Sequence, residues 1–258
     1  MIADGVSSAG SGTQIFVRFL LKRFSDLFYD YKRTSNIQCY LNEIKNLINK
    51  NIIQIVEEFK ILTKNDPFKN FLSQNDLLSS ECTIIISLIS YVDISKEYLF
   101  YVGDGYLYRY NGYSSAFTSN LLQYNKLGFL TSVITPNGLL NNESYTGTFS
   151  YSENGQASIG YMIVGMTDGV KDNYKNSTST KKTEKNLANF FSMKYLNFID
   201  TLKQTEIVDH LFESMKKFFQ EIGKELDIIC SPDNENDAGD DYSFFVLIVL
   251  PKKKLEII

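Results

Sequence analysis

The stretch GYMIVGMTDGVKD, residues 160–172, decides how the chain is organised. Its apolar run from Tyr161 to Met166 is long enough for one strand and stops abruptly at Thr167 and the pair Asp168-Gly169. Continuous apolar residues bounded by a turn signal are typical of a strand covered on both faces, although periodicity alone leaves a buried helix open. Because Asp-Gly favours a turn, the pattern predicts that Asp168 lies at the end of the strand, outside the core.

The composition is that of an ordinary globular protein, and it excludes several classes of function. The 258 residues are 43% hydrophobic and 22% charged, enough to bury a core. A net charge of -4 provides no basic field for nucleic acid. The sequence has no signal peptide and no apolar run of membrane-helix length, which predicts a soluble, cytoplasmic protein without a membrane partner. The cysteines show no metal or redox spacing and are interpreted as reduced core residues: Cys39, Cys82 and Cys230.

Two amphipathic helices are predicted near the amino terminus. They follow a short strand over Met1–Ala3, which ends in the pair Asp4-Gly5, and a flexible loop of small residues. In each helix the apolar residues recur at steps of three and four, so they share one face. The apolar faces consist of Phe16, Phe19, Leu20 and Phe24 in the first helix, and of Ile37, Leu41, Ile44, Ile48, Ile52, Ile55 and Phe59 in the second.

The rest of the chain is predicted to contain consecutive antiparallel strands and then two helices and a last strand. Gly103-Asp104-Gly105 predicts a tight hairpin between two of the strands, and the polar segment 173–185 predicts a mobile surface loop. This order favours an α+β fold, and because no linker separates two cores, one domain is expected. The predicted elements are strands over Thr83–Ile89, Tyr98–Val102 and Tyr106–Tyr110, two or three irregular strands within 117–150, helices over Leu187–Leu202 and Ile207–Ile222, and a buried strand over Phe244–Leu250.

Three acids stand at the ends of predicted buried strands. Asp4 follows MIA, Asp168 follows MIVGMT, and Asp240 precedes FFVLIVL. Carboxylates gathered at one sheet edge repel each other unless cations neutralise them, and hard oxygen ligands suit Mg²⁺ or Mn²⁺. Taken singly, each acid is better explained as the cap of a turn. Taken together, they predict a site for divalent metal.

Four segments in this order resemble the metal-dependent protein phosphatase 2C family. They are IADGVSSAGSG, TIIISLISYVDISKEYLFYVGDGYLYRY, YMIVGMTDGVKD and GDDYSFFVLIV, and they span nearly the whole chain. The resemblance implies a single phosphatase-like domain over residues 1–258. It also implies a four-layer α/β/β/α sandwich, in which two antiparallel sheets are flanked by helix pairs, with two metal ions in a cleft at one end.

The resemblance also implies a role for each acid. Asp4 would bridge two Mg²⁺ or Mn²⁺ ions, the carbonyl of Gly5 would bind one of them, and Asp168 and Asp240 would hold the other. Asp241 would support these ligands without binding metal. The implied reaction is hydrolysis of phosphoserine or phosphothreonine on a protein, by a metal-bridged water that needs no other catalytic residue. The implied substrate is a phosphoprotein whose phosphorylation by a serine/threonine kinase is reversed.

The sequence departs from the family pattern at several positions. Family members carry an upstream strand pair with an acid and a phosphate-binding arginine, whereas this sequence begins inside the first matching motif. Val6 stands where some relatives have a histidine, and Tyr106 stands where an arginine usually follows the Gly-Asp turn. The alternative is therefore a catalytically impaired domain that acts as a binding or regulatory module. A third possibility is hydrolysis of a small phosphate ester.

Two further residues are interpreted as having no role in catalysis. Asp172 could be an additional metal ligand, but an acid so close to a polar loop is better explained as solvated. His210, the only histidine, lies on a predicted amphipathic helix and is expected at the surface or half-buried.

Overall fold

The computed structural model describes residues 1–5, 12–30, 54, 57–61, 79–89, 96–111, 115–118, 132–139, 145–150, 160–172, 180–204, 209–230 and 243–250. The chain forms two compact units, one of Met1–Gly105 with Asn120–Ser150 and the other of Tyr106–Ser119 with Tyr151–Ile258. Each unit contains one antiparallel sheet with helices. The predicted α+β class, with two antiparallel sheets flanked by helices, is therefore confirmed. The expectation of one phosphatase-like domain over residues 1–258 stays a prediction.

The sheet of the first unit contains six strands in the described part of the chain. Its order is β7-β6-β2-β3-β8, and β1 also pairs with β2. The strands are β1 (Ile2–Gly5), β2 (Cys82–Ile89), β3 (Lys96–Val102), β6 (Ile134–Thr135), β7 (Gly138–Leu139) and β8 (Tyr145–Ser150).

The helix α1 (Thr13–Asp30) covers this sheet with the predicted apolar face. Phe16, Leu20 and Phe24 are fully buried, and Phe19 is half-buried. Phe59, at the end of the second predicted helix, packs its ring 4.9 Å from that of Phe16, and residues 57–61 are helical. Full burial of each large apolar side chain contributes about 1.5–3 kcal/mol, so this face fixes the helix on the sheet. Most of the predicted helix before residue 57 lies outside the described residues.

The sheet of the second unit has the order β10-β9-β4-β5. Its strands are β4 (Tyr106–Tyr110), β5 (Ser115–Thr118), β9 (Tyr161–Met166) and β10 (Phe244–Val249), and its helices are α2 (Gly169–Asp172), α3 (Thr180–Gln204) and α4 (Asp209–Ile229). Strand β9 is buried along its whole length between β4 and β10, as the opening stretch of sequence predicts.

The long helices α3 and α4 pack on this sheet through aromatic residues. The Tyr108 hydroxyl donates a hydrogen bond of 3.0 Å to the carbonyl of Ala188, and the rings of Tyr110 and Tyr195 meet edge to face at 5.6 Å. Within the helix pair, the rings of Phe198 and Phe218 lie 4.7 Å apart. The core of the second unit is therefore rich in aromatic residues.

Three predictions about the fold are wrong. Gly103-Asp104-Gly105 does not close a hairpin, because β3 pairs with β2 and β8 whereas β4 pairs with β5 and β9. Helix α3 begins at Thr180, inside the predicted loop 173–185, and the first buried residue among those of α3 with described burial is Thr183, whose polarity hides the helical period. The strand over Phe244–Val249 exists, but it is half-buried because β10 lies at one end of the described sheet.

Two of the three cysteines are free and buried, as predicted, and Cys39 lies outside the described residues. The Cys230 thiol donates to the carbonyl of Val170 at 3.4 Å. Burial, and secondarily the charge of Asp227, raises the pKa of Cys230 to about 11.

We therefore expect Cys230 to resist alkylation in the folded protein. At pH 8.5 a thiol with a pKa near 11 is roughly 0.3% ionised, whereas an ordinary thiol is about half ionised, and only the thiolate reacts. Iodoacetamide labelling followed by mass spectrometry should show at least about 100-fold slower modification of Cys230 in native than in unfolded protein. Equal rates in the two states would contradict the burial of this side chain.

Candidate metal centre

The first predicted metal ligand, Asp4, lies near the end of β1. It is half-buried and sits opposite Thr83 of β2 in the antiparallel register. Its Oδ1 accepts a hydrogen bond of 2.8 Å from the backbone N–H of Gly5. This bond orients the carboxylate at the strand end, as the Asp-Gly pattern predicts.

Gly5 is required by the close approach of α1. A Cβ atom added at Gly5 would lie 2.4 Å from Cγ2 of Thr13, the first residue of that helix. Thr13 is buried and its side chain is short, so it has little room to move. The glycine therefore lets the strand end and the helix start come together, and this holds Asp4 at a fixed place in the first unit.

Cys82 is opposite Gly5 in the same register and is fully buried. Burial first, and then the negative charge of Asp4, raises the pKa of its thiol far above the ordinary value. The thiol is therefore protonated at neutral pH. A protonated thiol is not a nucleophile, and Cys82 is therefore interpreted as a core residue at this strand end.

The second predicted ligand, Asp168, has the same local arrangement in the second unit. It follows β9 directly, is half-buried, and its Oδ1 accepts a hydrogen bond of 3.0 Å from the N–H of Gly169. The chain then enters the short helix α2, whose Val170 is fully buried. The buried strand before Asp168 and the buried residues Gly169 and Val170 after it hold the Asp168 residue at the boundary of the core.

Thr167, the residue before Asp168, was not singled out from the sequence. It is buried, and its backbone N–H donates to the carbonyl of Ser243 at 3.0 Å. The N–H of Ser243 in turn donates to Oγ1 of Thr167 at 3.0 Å. The end of β9 is therefore joined to the residue that precedes β10. The feature of the sequence that could have indicated this role is a residue with a hydroxyl group directly before the pair Asp168-Gly169.

Asp240 and Asp241 lie outside the described residues, so their predicted roles stay predictions. They precede Ser243 by three and two residues in the sequence. Among the residues that the structure describes, no three acids, histidines or cysteines form a group that could hold a metal ion. Asp4 belongs to the first unit and Asp168 to the second. The structure therefore describes the local environment of Asp4 and that of Asp168 separately.

Asp104 differs from its interpretation as a residue of a hairpin turn. Its side chain is buried in the first unit, with only 8% of the residue exposed. The flanking segment is tied by a hydrogen bond of 2.5 Å from the Tyr101 hydroxyl to the carbonyl of Gly105. A carboxylate at a solvated turn needs no burial, so this acid is part of the packed structure of the first unit.

The chemistry of the donor set fits a hard divalent cation. Asp4 and Asp168 each have one carboxylate oxygen oriented by the next backbone N–H, and both residues are half-buried. Carboxylate and carbonyl oxygens are the ligands that Mg²⁺ and Mn²⁺ prefer, and half-exposed ligands suit ions that keep part of their water. The residues present are thus compatible with the metals predicted from the sequence.

Known protein structures resemble the chain over nearly its whole length. The serine/threonine phosphatase PstP/Ppp of Mycobacterium tuberculosis is 12% identical, with 96% of this chain and 86% of that chain covered and a TM-score of 0.52. The serine/threonine phosphatase of S. agalactiae is 14% identical, with 96% and 85% covered and a TM-score of 0.50. The catalytic domain of PstP in complex with two manganese ions is 11% identical over 95% and 84%, but its TM-score of 0.47 adds no weight.

These likenesses establish the fold. No family model matches the sequence, and no curated protein matches it significantly. At identities of 12% and 14%, similarity of structure says nothing direct about activity. The chain therefore has the fold of these two serine/threonine phosphatases, and its activity has to be argued from its own residues.

Proposed function

We propose that this protein is a metal-dependent phosphatase that hydrolyses phosphoserine or phosphothreonine on proteins. The observation that supports the proposal best is the repeated strand end, in which Asp4-Gly5 and Asp168-Gly169 have the same carboxylate-to-amide hydrogen bond. Both occur in a chain with the fold of serine/threonine phosphatases. In each case the hydrogen bond fixes one carboxylate oxygen at a strand end, which is the local arrangement that a metal-binding aspartate needs.

The residues that would hold metal are those predicted from the sequence. Asp4 would bridge two Mg²⁺ or Mn²⁺ ions, the Gly5 carbonyl would bind one of them, and Asp168 and Asp240 would bind the other, with Asp241 in support. When bound, such ions neutralise phosphoryl charge and lower the pKa of water. The chain itself supplies the fixed orientation of the carboxylates.

Covalent geometry supports the pairing of Asp168 with Asp240. Ser243 is hydrogen-bonded to Thr167, which is the neighbour of Asp168. Three residues of chain span at most about 11 Å, so Asp240 can reach the region of Asp168 without any long-range rearrangement. The length of chain between Asp240 and Ser243 is therefore compatible with a cation shared by Asp168 and Asp240.

The proposed substrate is a phosphoprotein in the cytoplasm, whose phosphorylation by a serine/threonine kinase this protein would reverse. The acidic balance of the chain, with a net charge of -4, gives no support for a nucleic-acid substrate. The part of the chain that the structure describes contains no helix long and apolar enough to cross a bilayer.

The proposal is tested by measuring phosphate release from a phosphoserine peptide by the purified full chain. We expect hydrolysis that depends on added Mn²⁺ or Mg²⁺ and stops when the metal is removed with a chelator. Hydrolysis that persists in excess chelator would contradict a metal mechanism. A parallel assay with p-nitrophenyl phosphate, a small ester, separates a protein phosphatase from an enzyme that prefers small substrates.

A folded protein that binds Mn²⁺ but hydrolyses neither substrate would contradict the proposed activity. That result would favour the alternative of an impaired phosphatase-like domain that binds a partner. Circular dichroism and a cooperative thermal transition are needed as a control, because an unfolded sample would also show no hydrolysis.

A further inference from the structure

We propose that Thr167 is a positioning residue, which fixes Asp168 by joining the end of β9 to Ser243, the residue before β10 that follows Asp240 and Asp241 in the sequence. The inference rests on the proposed function, because it assumes that these acids share a metal site. It comes from the way in which the ladder between β9 and β10 ends. The last regular pair of that ladder is Met166 with Phe244.

The carbonyl of Thr167 is not directed to the neighbouring strand. It accepts a hydrogen bond of 3.3 Å from the N–H of Val170, which starts the helical turn that follows Asp168. In an antiparallel ladder, a strand residue at this position would use its carbonyl to bind the opposite N–H, here that of Ser243. The turn toward Asp168 therefore removes one acceptor from the ladder.

The hydroxyl of Thr167 replaces that acceptor. Its Oγ1 accepts the N–H of Ser243 at 3.0 Å, and it lies 3.4 Å from the Ser243 carbonyl oxygen, to which it can donate weakly. The backbone N–H of Thr167 donates to the same carbonyl at 3.0 Å. The two strands thus remain joined one residue beyond their last regular pair, at the point where the chain turns to present Asp168.

This connection has a direct consequence for the metal site. Asp168 is one residue from Thr167, and Asp240 and Asp241 are three and two residues from Ser243. Without the hydroxyl, only the bond from the Thr167 N–H to the Ser243 carbonyl would join the two strands beyond Met166, and the strand end that carries Asp168 would be held less firmly. Because a metal site loses affinity when its ligands are less well oriented, the Thr167 hydroxyl should contribute to metal binding without touching the metal.

The test compares Thr167→Val, which keeps the shape of the side chain but removes the hydroxyl, with Thr167→Ser, which keeps the hydroxyl. The matched control is Thr135→Val. Oγ1 of Thr135 also accepts a backbone N–H, that of Asn137 at 3.0 Å, and lies 3.1 Å from a carbonyl oxygen, that of Gly138, but it belongs to the first unit. The full chain is used in every case.

The readout is the dissociation constant for Mn²⁺, measured by isothermal titration calorimetry at a temperature where each variant is folded. We expect Thr167→Val to weaken Mn²⁺ binding about 10-fold, with Thr167→Ser near the wild type and Thr135→Val unchanged. Hydrogen exchange of the Ser243 amide should be faster in Thr167→Val only.

Each other result overturns the inference. If Thr167→Val lowers the melting temperature but binds Mn²⁺ like the wild type, the hydroxyl is only structural. If Thr135→Val weakens binding equally, the effect is general instability. If the wild type itself binds no Mn²⁺, the proposed function fails and takes the inference with it, so the wild-type titration distinguishes the two failures.

Discussion

Replacing Asp168 by asparagine is expected to abolish metal-dependent phosphatase activity while leaving the fold intact. Asparagine has the same shape, and its Oδ1 can still accept the hydrogen bond from the Gly169 N–H that orients the aspartate. The turn and helix α2 should therefore form as before. What is lost is the negative charge that a divalent cation requires, so kcat/KM should fall by at least about 100-fold. Loss of a residue that only supports a metal ligand typically lowers activity by about 10–100-fold, and loss of a ligand should have a larger effect.

Asp172→Asn is the matched control for this prediction. Asp172 is the last residue of α2, so it lies close to Asp168 in the sequence, and it was interpreted as a solvated acid. The control should therefore keep full activity. Phosphate release from a phosphoserine peptide at saturating Mn²⁺, together with the melting temperature, measures both variants. Activity retained in Asp168→Asn would contradict its role as a ligand, and activity lost in Asp172→Asn would show that the site contains an additional acid.

Those parts of the structure that depend on local pattern could be predicted from the sequence. The spacing of Phe16, Leu20 and Phe24 gives the buried face of α1 because a helix repeats every 3.6 residues. The apolar run before Asp168 gives the central strand β9 for a similar reason, since a strand covered on both faces must be apolar throughout. The two Asp-Gly pairs likewise gave the oriented carboxylates of Asp4 and Asp168.

Those parts that depend on which strand finds which neighbour could not be predicted in the same way. Gly103-Asp104-Gly105 specifies a change of chain direction, but nothing in three residues says that β4 pairs with β5 and β9. The role of Thr167 was hidden for the same reason, because Ser243 is 76 residues away along the chain. Long-range pairing is decided by the packing of whole strands, which single-sequence patterns do not encode.

Replacing Gly103 by alanine is expected to destabilise the protein by about 2–5 kcal/mol, which combines backbone strain with a severe clash. Gly103 has a φ of +100°, in the region that only glycine adopts easily. An added Cβ would lie 2.2 Å from Cγ2 and 2.4 Å from Cβ of Thr83, and 3.2 Å from its backbone Cα. Because the obstacle includes the backbone and the rigid start of a side chain in β2, rotation of Thr83 cannot remove it.

Gly138→Ala separates the strain from the clash. Gly138 has a similar φ of +108°, but an added Cβ there would meet no atom within 4 Å. This variant should therefore cost only the backbone strain, about 1–2 kcal/mol. Denaturant unfolding of both variants gives the two free energies of unfolding, and equal losses would contradict the clash.

The same clash links the turn after β3 to the candidate metal centre. Thr83, which Gly103 contacts, is the register partner of Asp4 in the neighbouring strand. The double variant Thr83→Gly, Gly103→Ala removes the Thr83 side chain from β2 and adds a methyl group at position 103, so it removes the closest contacts but keeps the strain. A thermodynamic cycle should then show a favourable coupling of about 0.5–3 kcal/mol between the two substitutions. A coupling near zero would mean that Gly103 is required only for its φ and not for close packing against Thr83.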